Sequence, residues 1–552
     1  MKKLVSIFLA LAMVLAISVP SFAAENTTLT INGEEDREYV GYQLLNLTTS
    51  LKTGEHHATH TGDHTDDCYN FAYTVNEKYR AILQEEVFAN GGNYLWENSA
   101  KPNAATGITD DQILKYLANQ TKDEGEVYHT MRQVADRIYR AIIVVGIEAD
   151  EKNLTGNNDN IAQGYWMFAD VTNLDGNQAN SLVMVDTKGQ ENLTINSKTG
   201  LPTVEKKVKD IEDSEDNNIT DNAWHDSADH DKGDTVPFKL TGTLPSNAQY
   251  YQSFKMVFHD TLSAGLTLDE NFATNFKVYM YDSKYKADVD TDLNDFAKDV
   301  TANFVPKTEG LNDGCTFEIG CDNVFVIEGV TKDTAFVVYY EAKLNENAVI
   351  GAEGNTNQVY LEFSNNPYGN TTGKTEADIV KVFTYELVIN KTDSHGHALQ
   401  GAGFTLYKKI LGSNQPDQYE QVGEVLGGEG STMTTFTWSG LDDGDYKLVE
   451  STVPEGYNKM SDIAFSISAV HSEIGENPTL DSVDGGLMGV GTVAENGAPT
   501  GAIVKTVENK TGSVLPETGA MGTMWLILGG TMLVILASVF MITRKKMSIY
   551  ED

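Results

Sequence analysis

In the segment Leu387-Val-Ile389-Asn-Lys391 a lysine falls on the same strand face as Leu387 and Ile389, because strand side chains alternate with a period of two. The same spacing aligns Glu450 with Tyr446 and Leu448, and Asn509 with Val507. All three polar groups therefore point where their apolar neighbours point, into a core. A lysine or glutamate buried without a partner is costly, so the pattern demands that they meet. Burial also prepares chemistry: it lowers the amine's pKa and raises the carboxyl's, which leaves a neutral nucleophile beside a proton donor.

A second reactive pattern is the stretch Glu55 to Cys68, in which His56, His60, His64 and Cys68 recur every fourth residue. On a helix they would share one face and suit zinc or a similar ion. The interleaved Thr, Gly and Asp favour a solvated loop, so no metal and no cofactor is assigned. Cys315 and Cys321 flank Thr-Phe-Glu-Ile-Gly and can pair locally, leaving Cys68 over. The sequence offers no nucleophile-base-acid set and no phosphate loop, so an enzyme is not expected.

The ends say where such a chain works. Lys2 and Lys3 precede an apolar run from Leu4 to Val19, with Ser21 and Ala23 in the cleavage positions of a signal peptide over residues 1–24. Near the other end stand Leu515, Pro516, Glu517, Thr518 and Gly519, followed by an uncharged span at 520–543 and a basic tail at 544–552. The span is long enough to cross a bilayer core as a helix, with Arg544, Lys545 and Lys546 holding the tail inside. The 40 Lys and Arg against 80 Asp and Glu give a net charge of −40, which repels nucleic acid and suits a solvated exterior.

Three cysteines are too few to frame the roughly three domains that a mature chain of this length suggests. Residues 25–198 mix strands, such as Gly164 to Ala169 and Ser181 to Val185, with helices. Thr109 and Gln112 form a capping-box pattern, and Val127, Met131, Val134, Ile138 and Ile142 follow a helical spacing. Beyond 199, short alternating strands such as Thr235 to Leu240 and Phe254 to Phe258 indicate antiparallel sandwiches. A Gly- and Thr-rich piece from Tyr368 to Thr375 reads as a linker. The expected class is mainly β, with tandem Ig-like sandwiches over 199–378 and 379–511, helical insertions in the first domain, and an anchor at 512–552.

The pentapeptide, apolar span and basic tail resemble the cell-wall sorting signal of Gram-positive surface proteins. That resemblance implies a sortase cutting between Thr518 and Gly519 and passing the threonyl group to an amine. Tyr446-Lys-Leu-Val-Glu450-Ser-Thr-Val-Pro454-Glu-Gly456-Tyr457 resembles the E-box of pilin subunits and collagen-adhesin B-type domains. Leu399 to Phe404 and Val507-Glu-Asn509-Lys resemble other strands of that domain. In the family the three places supply a Lys, a Glu and an Asn that form an intramolecular isopeptide bond, here Lys391 to Asn509 with Glu450 assisting.

Gly200 to Val208 resembles the opening of a pilin middle domain. Val204, Lys206 and Val208 share a face, which favours Lys206 over Lys207 as its nucleophile. Asn357 is the first choice of partner and Asn365 the second; Asp260 and Asp234 both resemble the helper acid. Major pilins also carry a lysine near the end of their first domain that accepts the next subunit, and Lys198 stands there, with Asn196-Ser197 in place of the usual Tyr-Pro. The resemblance implies the backbone subunit of a covalent surface pilus, anchored to peptidoglycan, with sortase, further copies of itself, accessory pilins and a host surface ligand as partners. The alternative is a monomeric wall-anchored adhesin or an accessory pilin.

Overall fold

The computed structural model describes residues 26–512 apart from 33–35, 52–68, 97–99, 121–129, 175, 197–199, 211–223, 288–290, 411–417 and 473, and beyond them 528, 530–539 and 541. The expected signal peptide, Lys198, the pentapeptide 515–519 and the His56, His60, His64 and Cys68 stretch lie outside the described residues. Among the described residues no helix is long and apolar enough to cross a membrane. Those at 530–539 are helical, with Met532, Leu533, Val534, Ile535 and Leu536 all exposed.

The first domain packs a sheet between two layers. Tyr39–Leu51 lies at its centre, flanked by Tyr69–Val75 and Gly164–Asp170, with Leu182–Asp186 beyond. Met167 faces the helices Arg80–Asn90, Asp110–Ala118 and Thr130–Val145, against Leu83, Ile113 and Ile138. Trp166 and Phe168, one residue to either side, face a second sheet through Leu29 and Ile161. Helix Asp110–Ala118 opens on the expected capping box: Gln112 N–H donates to Thr109 Oγ at 3.3 Å, and Thr109 N–H donates to Gln112 Oε1 at 2.9 Å.

The middle domain is a sandwich of two antiparallel-paired sheets, apart from one parallel pair at an edge. One carries Val204–Lys209, Thr235–Thr243 and Ala335–Leu344; the other carries Met256–Leu262, Phe317–Cys321, Asn355–Ser364 and Asp378–Phe383. Phe238, Leu240, Val338, Phe258 and Leu361 fill the space between. The segment Tyr368 to Thr375 is not a free linker. Thr372–Lys374 pairs back onto Asn355–Ser364, and the Tyr368 ring meets Tyr139 of the first domain at 4.7 Å. Asp378–Phe383 also pairs with Asn355–Ser364, so the chain enters the last sandwich at Thr384, beyond the expected boundary at 378.

In the last domain Tyr385–Asp393 lies between Thr435–Leu441 and, in parallel, Ala502–Asn509. Five strands face them, including Gly403–Lys409 and Gly444–Thr452. Cys315 and Cys321 are free buried thiols, so the local disulfide is absent. Along Phe317–Cys321 the residues Phe317, Ile319 and Cys321 are buried, whereas Cys315 sits in the preceding loop.

Candidate functional site

Lys206 projects from Val204–Lys209 into the middle sandwich, opposite Leu240 in the register and fully buried. Its Nζ pairs with Asp260 Oδ2 from the facing sheet and donates to Tyr340 Oη at 2.8 Å. Tyr340 donates its proton to Asp260 Oδ2 at 3.0 Å and accepts from Asn357 Nδ2 at 2.7 Å. One hydroxyl thus joins all three, using both its acceptor positions and its one donor. The Asp260 Oδ1 and Asn357 Oδ1 atoms are buried without a hydrogen-bond partner among the described residues.

Phe238 and Tyr340 rings flank the amine at 5.4 and 5.2 Å, so little solvent screens the cluster. Burial pulls the Lys206 ammonium down to about 8, with Asp260 opposing the shift. Burial pushes the Asp260 carboxyl above its ordinary value, and it raises the Tyr340 phenol well above its own. Burial thus shifts both groups toward the neutral amine and the protonated acid, beside a carboxamide.

The competing residues are elsewhere. Asp234 is nearly half exposed, and its carboxylate caps the turn at Asp231 N–H, 3.1 Å away. Asn365 is buried at the junction with the first domain, donating to Leu174 O at 2.8 Å and accepting from Thr371 Oγ at 2.7 Å. Lys207, on the opposite face of its strand, pairs with Asp226 at 2.7 Å.

A second cluster occupies the last domain. Lys391, Glu450 and Asn509 are each only 1% exposed. Parallel pairing sets Lys391 against Val507 and Asp393 against Asn509, which brings lysine and asparagine onto neighbouring strands. Asn509 Nδ2 donates to Glu450 Oε1 at 2.7 Å, and Met460 N–H holds Glu450 Oε2 at 2.8 Å. Lys391 Nζ donates to the carbonyls of Thr392 and Val507 at 2.9 and 3.4 Å, and burial lowers its pKa. Asn509 Oδ1 is again buried and unpartnered among the described residues.

Tyr340 is the participant the sequence did not single out. Its signal was available: within Ala335–Leu344 it shares the buried line of Val338 and Ala342, an inward tyrosine facing an inward lysine.

Comparison with known proteins adds three family-model matches. Residues 232–367 match a family model described as Gram-positive pilin backbone subunit 2, Cna-B-like domain. Residues 385–477 match the SpaA prealbumin-like fold domain, and 507–548 match the LPXTG cell-wall anchor motif. These three matches support a Gram-positive backbone pilin with a cell-wall anchor. The middle-domain match contains Asp260, Tyr340 and Asn357, and Asn509 falls at the start of the anchor match.

The chain is 24% identical over 323 residues to the trypsin-resistant surface T6 protein of Streptococcus pyogenes serotype M6, across 55% of this chain and 53% of that one. The chain thus spans about half the length of that curated relative. Among solved structures, the T6 backbone pilin of that serotype aligns with a TM-score of 0.47 at 16% identity, over 89% of this chain and 99% of that one. The major pilin BcpA of Bacillus cereus aligns with a TM-score of 0.33 at 16% identity, over 66% and 92%. The anchor match marks the pilin as a cell-wall-attached surface protein.

Proposed function

We propose that the protein is the structural backbone subunit of a covalent pilus, with Lys206–Asn357 and Lys391–Asn509 isopeptide bonds formed by the chain on itself. The observation that supports this reading is the enclosure, in each sandwich, of a lysine, an acid and an asparagine on different strands. In each case the neutral Lys Nζ attacks Cγ of the asparagine, an amide C–N bond forms, and the bond to the carboxamide nitrogen breaks. Asp260 or Glu450 polarises the carbonyl and returns the proton to the departing nitrogen, which leaves as ammonia. Tyr340 positions the Lys206 set. The reaction turns over once per site and acts on no other substrate.

A sortase then cuts between Thr518 and Gly519 and passes the threonyl carbonyl to Lys198 of the next copy, with the last subunit passed to peptidoglycan; accessory pilins join the same polymer. Boiled, detergent-treated wall extracts from cells with wild-type protein and with Lys198→Ala test this. A high-mass ladder that collapses in the variant is expected. A ladder that survives moves the acceptor to another lysine, and a single wild-type band replaces the polymer with a monomeric anchored adhesin.

A further inference from the structure

The geometry points to a zinc-class divalent metal site on the outer face of the middle domain, held by His259, Asp313, Cys315 and Glu318. Alternation along Met256–Leu262 sends Phe258 and Asp260 inward, so His259 turns outward. Pairing sets His259 opposite Glu318 on one neighbouring strand and Tyr360 on the other. Asp313 and Cys315 come from the loop entering Phe317–Cys321, where Gly314 takes a φ of 82° and lets the chain fold both toward the imidazole.

His259 Nδ1 lies 2.9 Å from Asp313 Oδ2, 3.8 Å from Cys315 Sγ and 3.8 Å from Glu318 Oε1. One ligand atom from each of the four residues lies within 4.8 Å of every other. Around a tetrahedral zinc, with bonds of about 2.0 Å to N and O and 2.3 Å to S, ligand atoms stand about 3.3–3.7 Å apart. The set therefore needs side-chain movements of about an ångström to close.

The other imidazole nitrogen supplies an independent observation. Nε2 lies 3.1 Å from Glu362 Oε2, and Glu362 is held in turn by Lys255 at 2.8 Å. With Nε2 engaged by Glu362, the ring is oriented so that Nδ1 faces the carboxylates of Asp313 and Glu318 and the sulfur of Cys315. This is the carboxylate–histidine relay that orients metal-bound imidazoles. The Tyr360 ring, stacked on His259 at 4.5 Å and 8°, fixes the plane, and its hydroxyl holds Asp313.

One nitrogen, one thiolate and two carboxylates suit a borderline ion; calcium and magnesium favour oxygen alone. Four protein ligands leave no open position, so the metal's role is structural: it ties the loop at 312–316 to the strand Met256–Leu262. Binding releases the Cys315 thiol proton to solvent.

Cobalt(II) titration of the full chain, purified in detergent, tests the site. His56→Ala, His60→Ala, His64→Ala and Cys68→Ser are introduced together so that the histidine-rich stretch cannot contribute. One Co²⁺ per chain is expected, with tetrahedral visible bands and a thiolate charge-transfer band, displaced by one Zn²⁺. Cys315→Ser, nearly isosteric, should abolish the charge-transfer band. Glu362→Gln should keep it and weaken binding about 10–100-fold. Absence of binding, binding lost with the histidine-rich stretch alone, or Cys315→Ser matching its parent in affinity and spectrum overturns the assignment. Should Cys315→Ser fail to fold, Glu362→Gln with unchanged affinity overturns it as well.

Discussion

On the proposed crosslink, Asn357→Ala and Asp260→Ala both prevent the middle-domain bond, yet the two substitutions carry different costs. Without the bond, the roughly 150 residues between Lys206 and Asn357 regain their loop freedom in the unfolded chain, which a chain-entropy estimate puts at about 5 kcal/mol. For a domain of this size that lowers the melting temperature by about 10–20 °C. Asn357→Ala leaves the Lys206–Asp260 pair intact, and losing the hydrogen bond to Tyr340 adds only about 1 kcal/mol. Asp260→Ala also strands a fully buried amine, a further penalty of about 3–5 kcal/mol. Its total of about 8–10 kcal/mol is comparable to the entire stability of an ordinary domain, about 5–15 kcal/mol. Intact mass and a thermal melt on the same samples decide the matter. Wild type should lack two ammonias and each variant one, with Asp260→Ala melting well below Asn357→Ala. A wild-type mass equal to the plain sequence refutes the bonds. Equal melting of the two variants refutes the view that Asp260 supports a buried amine.

In the last domain, Glu450→Gln should stop one ammonia loss and leave the other, as intact mass would reveal. Tyr340→Phe keeps the amine, acid and amide but frees their relative positions; misplacement of this kind costs up to about 100-fold in rate, read by following ammonia loss after refolding. In Asn357→Ala the unbonded Lys206 titrates near 8 when folded against an ordinary 10.5, so the unfolded chain binds more protons between those values. Stability should therefore rise from pH 8 to 10, by about 2 kcal/mol, while the bonded wild type stays flat; urea midpoints at the two pH values check it. Pulled between its ends, the wild-type middle domain should withhold the residues enclosed by the bond. Asn357→Ala should release them as an added extension of about 50 nm, and a wild type giving the same extension would remove the crosslink.

The burial of Lys206, Lys391, Glu450 and Asn509 was legible because alternation is local: a polar residue in an apolar line is visible without knowing which strands pair. Asp260 against Asp234 was not, since both stand in strand-like surroundings. Register separates them, setting Asp260 against Val359 inside the sandwich and leaving Asp234 in a turn. Tyr340 escaped notice because tyrosine is ordinary in strands, and only its contacts set it apart. Tyr368 to Thr375 read as a linker because a hairpin return and a linker share their Gly, Asn and Thr. Cys315 invited a disulfide reading for a similar reason. Its near neighbour in sequence is Cys321, whereas its neighbour in space, His259, lies more than fifty positions away and is brought close by strand pairing.

On the proposed linkage, tension enters at Lys198 and leaves at Thr518, and the crosslinks define the route between. The first strand of the middle domain bears Lys206, and Asn357 stands opposite Val380, on the strand that continues into the last sandwich. The first amide would carry force past residues 207–356, which include His259, Asp313, Cys315 and Glu318. In the last domain Tyr385–Asp393 and Ala502–Asn509 run parallel, so pulling loads their whole ladder in shear, and a Lys391–Asn509 bond would relieve even that. The load-bearing chain reduces to 198–206, 357–391 and 509–518. Within it, the stretch that can lengthen is the return through Tyr368, closed by the pairing of Asn355 to Val359 with Asp378 to Val382. The first domain, ahead of Lys198, carries no tension. Its helices and histidine-rich stretch are thus free of the mechanical constraint that fixes the two buried clusters.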